Sequence, residues 1–396
     1  MSKDNILINL MSFSIGFFIL AALPLTYTFQ VKNIRFIFFG AIIVLFFMLI
    51  LGGIKIKAGK IFLISSIFFL IAIISFPLSG APIYGLSKLS LSLGYFYMLP
   101  LVLINVIKFE KQEKLFIFGL CFSGLLLISI TYFYYGGAYE LIRTAKRFSR
   151  LKLGEGANPI MTARYFGVGI ISFLFVISTC KSFALKIIFF IFSIISFLYV
   201  IATGSKGPVV ALILALLIFV YFASKNRKTW IFFTILGLVI AGLVLMAVIP
   251  HEFIMQRVIN KVGSLSGRLP VFLNALSYLG KSDLVELAIG HGFGDFGYYF
   301  TGKDVRVYPH NIFLELFFEV GLIGLIVFVW WLIYPVTNYL KSKKNKLDRT
   351  GGFILAVYVF SVINAQFSGD LPANYFIPVF ASLLIAHTSV LKRIKV

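Results

Sequence analysis

Four histidines and 14 acidic side chains leave a chain of 396 residues few groups able to move a proton. The densest collection of candidates lies late in the sequence. In order it reads Gly267-Arg268-Leu269-Pro270, Gly290-His291-Gly292-Phe293-Gly294-Asp295-Phe296 and Tyr308-Pro309-His310-Asn311, then Ile312-Phe313-Leu314-Glu315, Glu319 and Gly321 to Gly324. Asn311 before an apolar run is a good helix cap. It places His310 at a water–membrane boundary, where an imidazole can take a proton from a hydroxyl near neutral pH. A lone histidine is more often structural, and His251 and His387, at the end of one apolar run and deep in another, show how little the residue type says alone. Glu315 and Glu319 are four apart and share a helical face. His310 and Glu319 are nine apart, about half a turn out of phase on a straight helix, so a His310–Glu319 dyad is not expected. The glutamates are expected to orient their neighbours or to bind sugar hydroxyls. No His, Asp or Glu spacing converges as a metal site requires, so neither metal nor cofactor is expected.

The cations form a second set. Arg143, Lys146, Arg147, Arg150 and Lys152 face only Glu140 and Glu155 in one polar segment. They suit either a headgroup-binding surface or a site for an anion such as a phosphate. Arg164 lies about one turn into the apolar run that begins at Pro159, which implies a polar cavity or a side chain that snorkels to the interface. Thr203-Gly204-Ser205-Lys206-Gly207-Pro208 opens another run. Pro208 suits a first helical position, the glycines let an anion approach backbone N–H groups, and Lys206 adds a charge there. The spacing is not that of a P-loop, so nucleotide hydrolysis is not indicated.

The elements that must position these residues are membrane spans. Hydrophobic residues make up 60% of the chain and the mean hydropathy is +1.01, outside the range of soluble domains. About twelve apolar runs are each long enough for a helical span of roughly 20 residues. They are Ile6 to Phe29, Phe36 to Gly53, Ile61 to Pro77, Leu89 to Ile107, Leu115 to Tyr134, Pro159 to Cys180, Ile187 to Ala202, Pro208 to Phe222, Trp230 to Ile249, Asn311 to Val336, Phe353 to Phe367 and Tyr375 to Val390. All are expected to be helices, because lipid tolerates only helices or closed barrels and these runs lack two-residue alternation. The first is expected to be a retained span, since it is longer than a signal-peptide core and has no Ala-x-Ala site.

The net charge of +22 looks at first like nucleic-acid chemistry, but it falls at the ends of the runs, as the positive-inside rule and anionic headgroups require. With both termini cytoplasmic, short inner loops carry Lys55, Lys57, Lys60, Lys108, Lys111 and Lys114 and their later counterparts. Short outer loops hold only Lys32, Arg35, Lys88 and Lys206. Residues 1–396 read as a single membrane domain, with outer loops at 135–158 and 250–310. Within the second, Val271 to Leu279 and Leu284 to Ile289 are apolar enough to form short helices. Cys121 and Cys180 lie in apolar runs and read as small core residues.

At the residues of the late cluster the sequence resembles the O-antigen ligase/O-antigen polymerase family, whose members share a glycosyltransferase-C-like membrane architecture. The resemblance is carried by Gly267-Arg268, by Gly290 to Phe296, and by His310-Asn311-x-x-Leu314-Glu315-x-x-x-Glu319-x-Gly321-Leu322-x-Gly324, over roughly Thr203 to Phe328. A large outer loop after the ninth of about twelve spans agrees with it. It implies a metal-independent, inverting glycan transfer with no cofactor, on the periplasmic side of a bacterial inner membrane. The donor would be an oligosaccharide on undecaprenyl diphosphate, held at a membrane lipid surface, with a chain-length regulator as a further candidate partner and no nucleic acid. His310 would activate the acceptor hydroxyl and Arg268 would hold the donor diphosphate, with Lys206, Arg164 and Arg147 as further cations. Tyr308, Asn311, Glu315, Glu319, His291 and Asp295 would support the site or meet sugar hydroxyls. The family's Gly-Ser-Arg-Gly motif has arginine where Lys206 stands, and lysine keeps the charge but loses the bidentate fork.

The resemblance leaves two jobs open, polymerisation of repeat units and ligation of the finished chain to lipid A core. Lys206 and a composition heavy in Phe, Ile and Lys resemble the divergent polymerases. A lipid-linked oligosaccharide flippase is the competing class, although such transporters show internal repeats and midplane polar residues in broken helices. A non-catalytic scaffold would leave the Gly267 to Gly324 pattern unexplained.

Overall fold

The computed structural model describes residues 3–28, 59–137, 151–154, 157–224, 226, 270–342 and 347–393, with the single positions 40, 44, 47 and 51. Among them the regular structure is all helical, with no strand. The elements are α1 (Lys3–Thr28), α2 (Lys60–Ser75), α3 (Pro82–Leu93), α4 (Leu99–Val106), α5 (Glu110–Tyr135), α6 (Pro159–Thr179), α7 (Phe183–Ala202) and α8 (Lys206–Ala223). They continue with α9 (Pro270–Leu279), α10 (Leu284–Ile289), α11 (Phe296–Thr301), α12 (Ile312–Ser342), α13 (Arg349–Asn364) and α14 (Phe376–Arg393). Eight stretches among the described residues are long and apolar enough to cross a membrane, and α1 and α13 contain shorter apolar helices. The expected runs at 36–53 and 230–249 lie outside the described residues, apart from the isolated positions. The short helices expected at 271–279 and 284–289 are present as α9 and α10.

The helices approach closely where glycine removes the side chain. A Cβ on Gly16 of α1 would collide with the Phe116 carbonyl of α5, and one on Gly119 would collide with the Phe13 carbonyl. Gly124 of α5 faces Gly169 of α6, and a Cβ added to Gly169 would only reach ordinary van der Waals contact with Gly124. Small residues at the contact are how helices pack in lipid, where apolar burial alone gives no preference for protein over acyl chain.

One expected boundary is corrected. Lys88 does not lie in an outer loop: α3 begins at Pro82 and runs through a π turn (Gly94–Met98) into α4, so Lys88 sits inside a span and is 1% exposed. Its charge is tolerated there because two carboxylates on α12 meet it, as intramembrane cations generally require.

The other decisive feature is a break in α12. Gly321 has φ 66° and ψ −172°, which a residue with a Cβ adopts only under strain, and any Cβ there would collide with the Ala288 carbonyl. A break leaves carbonyls of the preceding turn without their helical donors. Here His291 N–H donates to Phe318 C=O at 2.9 Å, Gly292 N–H to Glu319 C=O at 3.3 Å, and the Ser75 hydroxyl to that same Glu319 oxygen. The glycine-rich stretch 290–294 is therefore a plug for the break. Gly290, Gly292 and Gly294 all have positive φ, and Cβ atoms on them would collide with Glu319, Ser79 and Gly85 respectively.

Candidate active site

One end of the bundle gathers the segment around 79–88, the turn 365–374, the start of α6 and the loop leading into α12. Asp304 accepts from Ile83 N–H at 2.8 Å and Tyr84 N–H at 2.9 Å, docking that loop on the N-terminus of α3, where a carboxylate also complements the helix dipole. Asp295 accepts from Gly80 N–H at 2.6 Å and the Ser79 hydroxyl at 3.3 Å. Burial pushes its pKa up and the Gly80 N–H only partly offsets this. Asn158 caps α6 through Ile160 N–H at 2.9 Å and donates to the Ser368 hydroxyl at 3.1 Å.

Two ionic groups lie in the space so framed. In the first, Lys88 Nζ bonds to Glu315 and, at 2.6 and 2.7 Å, to both oxygens of Glu319. The i, i+4 spacing of the glutamates lets one lysine bridge them, and Glu315 also accepts from Leu371 N–H at 3.2 Å. In the second, Arg306 grips Asp370 through Nε and Nη2, each at 2.7 Å, while the Tyr84 hydroxyl donates to Asp370 at 2.7 Å. Burial works against the charge of Asp370, but Arg306 outweighs it and holds the carboxyl below its ordinary range. The Arg306 pKa is raised in turn, Asp370 overcoming the penalty of burial.

Between these groups lies a cavity of about 470 Å³ whose wall includes Tyr84, Lys88, Arg306, Tyr308 and Asp370. Arg306 lies over the Tyr308 ring at 5.6 Å, and the His310 ring meets the edge of Tyr308 at 4.8 Å between centroids. His310 has φ 60°, the one positive-φ residue other than glycine among the described residues. Such a conformation costs of order 1–3 kcal/mol and persists only where the surroundings fix it. Here Pro309 precedes it, and Asn311 caps α12 through Phe313 and Leu314 N–H, both at 3.0 Å.

The expected residues divide by placement. Tyr308, His310, Asn311, Glu315 and Glu319 come together at this end. Asp295 and His291 belong to the plug: His291 is 7% exposed, hydrogen-bonds Ser282 at 2.8 Å and packs on Phe318. Burial lowers its pKa more than Glu286 raises it, so its ring is neutral near pH 7. Arg164 is 2% exposed and spends its guanidinium on the Asn364 carbonyl, the Ser368 carbonyl at 2.6 Å and Asn374 Oδ1 at 2.9 Å. It therefore ties down the turn that presents Asp370. Lys206 is exposed in the first turn of α8, beside the turn that carries Phe367, and Pro208 stands two residues further in than expected. Arg268 and Arg147 lie outside the described residues.

Lys88, Tyr84, Arg306 and Asp370 were not anticipated as site residues. A lysine between Ser87 and Leu89 was the one available signal. Arg306 and Asp370 are too far apart in sequence for any spacing rule to join them.

Residues 191–329 match the family described as O-antigen ligase. No curated relative matches the chain. The matched stretch contains the plug, Arg306, Tyr308, His310 and both glutamates of α12. The chain is a multi-pass membrane protein in which residues 191–329 are similar to the O-antigen ligase family.

Proposed function

We propose that this chain transfers a glycan from undecaprenyl diphosphate to an acceptor hydroxyl on the periplasmic face of the inner membrane, with both termini cytoplasmic, and that it is a polymerase of repeat units. The observation that carries the reading is the cavity walled by Arg306 and Tyr308, with His310 against Tyr308, since these three residues lie in the stretch that matches the O-antigen ligase family.

In this reading His310 takes the proton of the acceptor hydroxyl as its oxygen attacks the anomeric carbon. The bond from that carbon to the phosphate oxygen breaks with inversion, and the lipid diphosphate leaves with the electron pair. A positioned base contributes roughly 10²–10⁴-fold to such a step. Cations near the leaving diphosphate stabilise its developing charge without a metal, and Arg268, Arg147 and Lys206 are the candidates. Arg164 contributes through the turn it anchors.

A strain lacking the gene separates the outcomes on a lipopolysaccharide gel. One repeat on the core marks a lost polymerase. Bare core with lipid-linked polymer accumulating marks a lost ligase, and an unmodified ladder rejects both.

A further inference from the structure

The cavity carries a charge balance unlike that of a diphosphate site. Among the described residues, its two wall cations are both committed. Lys88 is shared by two carboxylates, and Arg306 presents to Asp370 the Nε–Nη2 fork with which arginine takes a phosphate bidentately. Two cations stand against three carboxylates, so even with one glutamate protonated the group is no better than neutral. Asp370 is saturated as well: besides Arg306 and Tyr84 it accepts from Ala373 N–H at 3.3 Å. It has no capacity left to act as a base.

The rest of the wall is aromatic and hydroxylic. Tyr84, Tyr95, Tyr165, Tyr308 and Tyr375 all line the cavity, with Ser87 and Asn158 between them. Tyrosine gives a rigid apolar face and a polar tip at little entropic cost, which suits a ligand with C–H faces and an equatorial rim of hydroxyls. Arg306 keeps its side chain 45% exposed while Asp370 is 3% exposed, so the pair offers donor edges to the cavity without net charge. At about 470 Å³ the space falls within the size range of small-ligand pockets.

Resting on the transfer reading above, we infer that this cavity is a subsite for an uncharged sugar ring of the lipid-linked substrate, and that the diphosphate is not seated in it. The tyrosine wall takes the ring faces. Arg306 and the Tyr84 oxygen meet hydroxyls, with Asp370 fixing the orientation of both. Lys88 lines the subsite with its charge taken up by Glu315 and Glu319 behind it, which makes that wall indifferent to phosphate.

The test uses the full chain in detergent and two lipids: the lipid-linked oligosaccharide extracted from producing cells, and undecaprenyl diphosphate without sugar. Arg306→Ala removes the donor edge, and Tyr84→Phe removes one oxygen with little risk to folding. Each is expected to weaken the sugar-bearing lipid by about tenfold or more while leaving undecaprenyl diphosphate within about twofold of wild type. Equal losses on both lipids, or a loss confined to undecaprenyl diphosphate, would put the diphosphate in the cavity and overturn the inference. Unchanged binding of both by both variants would overturn it too, and it would fail alone if the wild type still transfers glycan. A wild-type protein that binds neither lipid would bring down the transfer reading with it.

Discussion

The bundle has a buried ionic group at each end, and the two are built differently. Opposite the cavity, His387 of α14 stands between Glu113 of α5 at 3.0 Å and Asp348 before α13 at 2.9 Å, and Tyr339 of α12 donates to Asp348 at 2.9 Å. Asp348 also caps α13 through Gly351 N–H at 2.8 Å. Burial would raise the Asp348 pKa, but His387 and these donors hold it below the usual carboxylate range. The charged members of this group are all at most 10% exposed, and none lines the cavity. At the cavity end Lys88, though as deeply buried, lines the cavity, and Arg306 beside it stays half open to solvent. The difference teaches that burial alone does not mark a working site. The His387 group closes on itself, whereas the cavity-end groups leave an edge on open space.

The largest expected effect lies at the cavity end. His310→Ala should lower glycan transfer by at least about 10²-fold while the protein reaches the membrane at its normal level. A normal ladder from that variant would remove the base and with it the claim that this end does the chemistry. Next come the two ionic groups themselves. Lys88→Met leaves two buried carboxylates without a cation, and His387→Leu does the same to Glu113 and Asp348. Removing one partner of a buried pair costs about 3–5 kcal/mol, so both should lower the melting temperature in detergent. The comparison predicts a split: at a temperature where both remain folded, His387→Leu keeps its transfer rate per molecule and Lys88→Met loses it. Equal activities would erase the distinction between the two ends.

A smaller effect is expected in the plug. Gly294→Ala combines a positive φ with a collision at Gly85, and should cost about 1–3 kcal/mol in stability, with activity falling because the support of Glu319 shifts. Smallest of all is the acid response. Asp348 and Asp370 both have depressed pKa values in the folded protein. Their contribution is full above about pH 4, the unfolded carboxylate range, and is lost as pH falls through their lower folded values. Asp348→Asn and Asp370→Asn should each flatten the decline of melting temperature below that pH. Unaltered acid profiles would show that neither charge matters to folding.

Much of this was legible in the residues, and the rest was hidden for physical reasons. Long apolar runs announce helices because lipid offers the backbone no other partner, and the Asn311 cap announced where α12 starts and so where His310 stands. The start of α3 was not legible. Its first turns hold Tyr84, Gly85, Ser87, Lys88 and Ser90, too polar to read as a span, and Lys88 is accommodated there by carboxylates more than two hundred residues away. Intrinsic propensity is overridden by tertiary context in such cases. Gly290 to Gly294 read as a motif, but its use depends on Gly321 breaking the helix it touches, and that pairing appears only when the two segments meet. Arg306 with Asp370 is the same kind of fact, a contact between two loops.

The interruption at Gly321 also has a mechanical consequence. Below it, α12 runs on to Ser342, and a span of that length tilts to match the thickness of the bilayer around it. Above it, the turn bearing Glu315 and Glu319 is keyed to the 290–294 stretch and to Ser75, not to the axis of the lower segment. Gly321 is therefore the point where a change of tilt in the lower segment can be taken up without moving the turn that bears Glu315 and Glu319.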